Sequence, residues 1–143
     1  KGLTIIEGNA EEDLKQFPDK SFDYVILSQT LQAFLNPEKV INELLRIGKQ
    51  AIVTIPNFGY WKIRLHLLLK GTMPITKILP DEWYNTPNIH LCTIKDFVFF
   101  SKNKNFKLSK SIALKDNQQS FITNSNLNLK NLSSNLGIFL IER

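Results

Sequence analysis

The sequence predicts an α/β fold with a mostly parallel sheet and an antiparallel strand near the C-terminus, and three observations carry that expectation. The run Phe22 to Leu27 is β-branched and aromatic, then breaks off into Ser28, Gln29, Thr30 and Gln32. A helix with clear start and stop signals follows from Pro37 to Ile47. It leads straight into a second apolar run, Gln50 to Ile55. Two strands joined through a helix form a parallel pair, and strands apolar on both faces require helices on each side of the sheet. Ligands in open α/β sheets bind beyond the carboxyl ends of the strands, so Ser28 to Gln32 and Pro56 to Gly59 mark a site.

In chain order, Leu3 to Glu7 reads as a short strand ending at Gly8. Asn9 caps a short helix whose Glu11, Glu12 and Asp13 suit a helix N-terminus, with Leu14 and Phe17 facing inward. Pro18 to Ser21 is a turn. The next helix starts on Asn36-Pro37-Glu38, a cap, a first-turn proline and an acid, and Gly48 stops it. Val40, Ile41, Leu44, Leu45 and Ile47 form its apolar stripe. After Gly59, the spacing of Trp61, Leu65, Leu68 and Leu69 predicts a helix to Lys70 that ends at Gly71 and serves as a lid. Pro74, Pro80 and Pro87 make the next segment mostly loop, with at most one short turn of helix near Asp81 to Tyr84, and a loop of that length is usually functional. Thr93-Ile94-Lys95-Asp96 resembles a capping box and opens a helix carrying Phe97, Val98 and Phe100. Phe106 to Leu114 and Gly137 to Glu142 read as strands. Lys115 to Asn135, rich in Asn, Ser and Gln, reads as a long connection between them or a poorly ordered excursion.

With 143 residues the chain has length for one domain, burying roughly 68% of its unfolded surface if complete. No apolar run reaches the ~20 residues of a membrane span. Cys92 is the only cysteine, so an internal disulfide is excluded and a reducing, cytoplasmic setting is expected. The net charge is +5, carried by fifteen Lys against three Arg. It is uneven, −3 over residues 1–48, +7 over 49–110 and +1 over 111–143. A basic middle segment attracts an acidic small molecule or partner, and Lys62, Arg64, Lys70 and Lys77 are its candidates. A nucleic-acid role is not expected: the Asn/Asp-Pro-Pro-aromatic element of amino-group methylation is missing, and Pro56-Asn57-Phe58 is a poor substitute.

His90 follows the proline-rich loop, and an imidazole there suits a catalytic base or an anchor for an anionic substrate; a structural histidine is the competing reading. His66, between Leu65 and Leu67, reads as core or interface. Two distant histidines make no metal site. Trp61, Trp83 and Tyr84 are of the type that anchors interfaces, and with Asn57 and Arg64 they form the substrate or partner set. Their competing reading is packing of a lid onto the sheet.

The order of these segments resembles the class I S-adenosylmethionine-dependent methyltransferases and, within them, the methionine-biosynthesis family MetW. The resemblance is carried by Gly8-Asn9-Ala10, Phe22 to Gln32, Leu45 to Gly48, Pro56 to Trp61, Arg64 to Leu69, Met73 to Lys77 and Trp83 to His90. It implies a Rossmann-like domain over residues 1–143 that represents strands 3 to 7 of a sheet ordered 3-2-1-4-5-7-6. Strands 1 and 2, with their glycine-rich loop and acidic residue, would then be lacking. It implies S-adenosylmethionine as cofactor in the complete protein, with Asn9 and Ala10 at the adenine and Ser28 and Gln29 beside the methionine moiety. Asn9 stands where the family pattern has an acid and accepts a hydrogen bond with less strength. Gln32 replaces a histidine common in small-molecule methyltransferases, which removes an obvious base. Homoserine O-acyltransferase is the partner implied. An enzyme of methionine biosynthesis and a noncatalytic regulatory subunit of that acyltransferase both stay open.

Overall fold

A computed structural model describes residue 2 and residues 7–143, so the strand expected from Leu3 lies outside the described residues. Helix α1 (Ala10–Asp13) starts where Asn9 accepts a hydrogen bond from the Glu11 amide at 3.0 Å. Strand β1 (Phe22–Ser28) is followed by α2 (Pro37–Ile47) and β2 (Gly48–Pro56). Asn36 caps α2 by accepting from the Lys39 amide, and the five predicted stripe residues are all buried. Helix α3 (Trp61–Lys70) ends at Gly71, whose φ of 63° is the left-handed conformation that suits glycine. Helix α4 (Ile94–Asn103) opens with the capping box Thr93/Asp96. Then come β3 (Lys107–Lys115), β4 (Gln118–Phe121), α5 (Leu127–Ser133) and β5 (Leu136–Glu142).

The five strands lie in the order β1-β2-β5-β3-β4. β1 and β2 are parallel, Ser28 pairing with Thr54, so Ser28 and Pro56 sit at the same rim of the sheet. β5 inserts between β2 and β3 and runs antiparallel to both. The order β1-β2-β5-β3 is that expected for strands 4-5-7-6.

Three expectations are corrected. Among the described residues, helices do not cover both faces. Val25, Leu27, Ala51, Val53, Phe139 and Ile141 share one face and pack with α2, α4 and α5 into the core. The register puts Tyr24, Ile26, Ile52, Thr54, Ile138 and Leu140 on the opposite face, where Ile26 is 67% exposed. The stripe of α3 is likewise not buried: Ile63 is its buried residue, packed on Tyr60 and Leu79, whereas Trp61, Leu65, Leu68 and Leu69 are exposed. Finally, residues 115–135 are not a plain connection but hold β4 and α5. β4 escapes periodicity because four residues at an edge leave three exposed positions.

Candidate functional site

The carboxyl ends of β1 and β2 are shaped by backbone before any side chain reaches solvent. Gln29 adopts φ 52°, and its amide donates to both the carbonyl (3.1 Å) and the hydroxyl (3.0 Å) of Thr54 on the neighbouring strand. Such a left-handed residue is uncommon outside glycine and is held here by the two bonds. Ser28 is exposed beside it. Gln32, read from sequence only as the loss of a base, is a buried clamp. Its side-chain Nε2 donates to Gln29 O at 2.7 Å, and its backbone carbonyl accepts from the amides of both Ile89 and His90 at 3.0 Å. The clamp folds the 89–90 segment onto the tip of β1. His90 and Gln29 thereby come to the same turn although 61 positions apart. A cleft of about 510 Å³ opens there, lined by Gln32, Glu38, His90, Cys92 and Asp96 among apolar neighbours.

Asn57, at the end of β2, is 1% exposed and its side chain makes four hydrogen bonds. It donates to Asn131 O (2.8 Å) and Ser134 O (2.6 Å) and accepts from the amides of Gly59 (2.9 Å) and Ile94 (3.1 Å). The Lys95 amide donates to Asn131 Oδ1, so the first turn of α4 is spent on protein groups. Gly59 is needed because a Cβ there would lie 2.8 Å from the Asn131 amide. Arg64 Nε donates to Gly59 O at 2.7 Å and holds the turn into α3.

The remaining sequence candidates are distributed. Asn9 is occupied as the α1 cap, its own amide donating to Asp13, and the half-buried Ala10 follows it. Trp61, Trp83 and Tyr84 are exposed, the last two edge to face at 5.6 Å. A hydrogen bond with Glu82 raises the pKa of Tyr84. Burial, helped by the Asp96 charge, pushes the Cys92 thiol up to about 12, which removes it as a nucleophile. Among the described residues, no group of three or more His, Cys, Asp or Glu is placed to hold a metal ion, and no helix is long and apolar enough to cross a membrane. A larger cavity, about 900 Å³, lies at the opposite end of the sheet, and two of its cations, Arg46 and Lys49, are held in ion pairs. Arg46 meets Asp19 and Glu43, and Lys49 meets Asp23 at 2.7 Å, which draws the Asp23 carboxyl below its ordinary range. The strand-end site is the better candidate because its backbone geometry is unusual and its polar groups face space.

Comparison with known proteins adds three findings. A family model described as "Methionine biosynthesis protein MetW" matches residues 1–141. A bifunctional methionine biosynthesis protein MetXA/MetW of Rhodopirellula baltica is 41% identical over 97 residues, 67% of this chain and 16% of that protein. Among solved structures, an S-adenosylmethionine-dependent methyltransferase of Thermotoga maritima superposes with a TM-score of 0.65 at 16% identity, covering 99% of this chain and 64% of the other. One from Archaeoglobus fulgidus gives 0.57 at 13% identity, covering 96% and 66%. The [4+2]-cyclase SpnF gives 0.55 at 13% identity, covering 95% and 55%. At these identities the structural likeness shows the class I methyltransferase fold alone. The chain spans under a fifth of the curated relative and about two thirds or less of the solved structures it matches.

Proposed function

The chain belongs to the MetW family of methionine biosynthesis, and from that premise we propose that it forms one wall of an S-adenosylmethionine pocket and acts with homoserine O-acyltransferase. The observation that carries the cofactor reading is the tip of β1. Ser28 and the left-handed Gln29 present polar groups at the strand end, and the Gln32 clamp lays His90 against the same turn. Methyl transfer from a sulfonium is an in-line displacement, so positioning donor and acceptor is the main demand on the protein. In this reading Ser28 and Gln29 hold the methionine end of the cofactor, Asn9 and Ala10 meet the adenine, and His90 is the base nearest the acceptor. The opposite wall comes from polypeptide beyond these 143 residues. The apolar sheet face carrying Tyr24, Ile26 and Ile52, bare among the described residues, supports that view.

The second reading is a noncatalytic subunit that tunes the acyltransferase. Gln32 favours it: the amide at this position is committed to Gln29 O and cannot serve as a base. The relative that combines MetXA and MetW supports the partnership in either case. Calorimetry of the complete protein with S-adenosylmethionine, alongside co-purification with the acyltransferase, separates the two. Cofactor binding abolished in a Ser28→Ala/Asn9→Ala double variant sustains the enzyme. Partner binding with no heat from the cofactor leaves only the subunit. The 143 residues alone are expected to show no measurable cofactor affinity, and tight binding by them would end the half-pocket reading.

A further inference from the structure

Helix α3 carries an apolar stripe that is bare among the described residues. Trp61, Leu65, Leu68 and Leu69 fall on one side of it at 3.6 residues per turn, and Leu68 and Leu69 are 81% and 72% exposed. The helix is held from elsewhere. Ile63 anchors it in a small cluster with Tyr60 and Leu79, apart from the main core. Leu79 also lines a pocket with Met73 and Trp83, so further exposed apolar side chains belong to the same lobe. Single exposed leucines are ordinary, but four large side chains in one stripe mark a surface that meets another molecule.

The charge around the stripe narrows what that molecule is. Residues 49–80 hold Lys49, Lys62, Arg64, Lys70 and Lys77 and no Asp or Glu. Helical spacing puts Lys62 and Arg64 along the two borders of the stripe, and Lys62 Nζ lies 5.7 Å from the centroid of the Trp61 ring. A second copy of α3 laid on the first would set these cations against each other, because a two-fold interface pairs a surface with itself. An apolar groove with an acidic rim has the complementary form, and a helix docked in a groove is read through anchors at this i, i+4, i+7 and i+8 spacing. We propose that α3 is the docking helix for homoserine O-acyltransferase, its stripe entering an apolar groove of that enzyme and its bordering cations meeting carboxylates at the rim. The inference deepens the function proposed above by naming the surface that meets the partner, and it rests on that reading for the partner's identity.

The test is calorimetry of the complete protein with the acyltransferase. Leu68→Glu/Leu69→Glu changes two exposed side chains, should keep the circular dichroism spectrum, and should weaken binding by roughly thirtyfold or more. Lys62→Glu should weaken it by about tenfold, and by less as salt is added. Leu129→Glu, at an exposed position of α5, should bind as the wild type does. Undiminished binding by the folded double variant would overturn the proposal and leave the partnership standing, whereas no binding by the wild type would remove both. If the double variant lost its fold, Lys62→Glu would decide, and an unchanged affinity at low salt would overturn the proposal. A membrane or a second copy as occupant has its own signature. The double variant would then lose adhesion to phosphatidylglycerol vesicles, or pass from dimer to monomer in sedimentation, while still binding the acyltransferase, and either result overturns the proposal.

Discussion

Asn57 shows how much of a binding surface's shape is decided by one side chain that never touches solvent. Its amide joins the end of β2 to the start of α4 and the end of α5, and all four bonds lie where water cannot replace them. Removing it strands two carbonyls and two amides, each costing more unmet than it gained when paired. Asn57→Ala is expected to lose about 3 kcal/mol in urea denaturation. A loss below about 1 kcal/mol would show that the hub is not needed. Cys92 makes a second residue-scale prediction. An acid raised in the folded state, from near 9.0 to about 12, keeps its proton while the unfolded chain releases one. Stability from this group is therefore intact below pH 9 and declines as pH climbs from about 9 toward 12, by up to about 1.4 kcal/mol per pH unit. Melting curves of the wild type and Cys92→Ala should converge over that range, and parallel curves would refute the burial argument.

Elements differ in whether their ends or their faces carry the information. Gly71 stops α3 at φ 63° with nothing near the space a Cβ would take, so Gly71→Ala costs only its backbone preference, about 1 kcal/mol. Gly59→Ala drives a Cβ into the Asn131 amide and the Asn57 oxygen, and should cost at least twice as much in the same thermal melts. The helix ends were readable because caps are local chemistry. Asn36-Pro37-Glu38, Thr93 to Asp96, and Gly71 each announce a boundary within four residues, and α2 and α3 have the predicted bounds. The face of α3 was not readable, because an apolar stripe has the same period whether it packs on its own chain or stays exposed. Helix α5 was hidden by Asn and Ser, which satisfy caps and loops equally well. At the site, Ser28 and Gln29 were legible as the end of a strand. The clamp through Gln32 was not, since it joins backbone groups nearly sixty residues apart and leaves no pattern in either segment.

At the scale of the whole molecule, the sheet has one packed face and one that is bare among the described residues, and β1 displays the contrast between consecutive residues. Leu27 packs against the core formed with α2 and α4, whereas Ile26 points the other way and is 67% exposed. Replacing each in turn by threonine keeps the polarity of the change the same and retains a residue suited to strands. Leu27→Thr should lose about 2 kcal/mol or more through lost burial and a hydroxyl brought to the core boundary. Ile26→Thr should stay within about 0.5 kcal/mol of wild type in the isolated chain. The comparison gains force when repeated in the complete protein. If further polypeptide covers this face, Ile26→Thr there becomes a core substitution and its cost rises to that of Leu27→Thr. An Ile26 cost that stays small in both contexts would mean the apolar face is never covered by the same chain, and the proposed second wall of the cofactor pocket would have nothing to stand on.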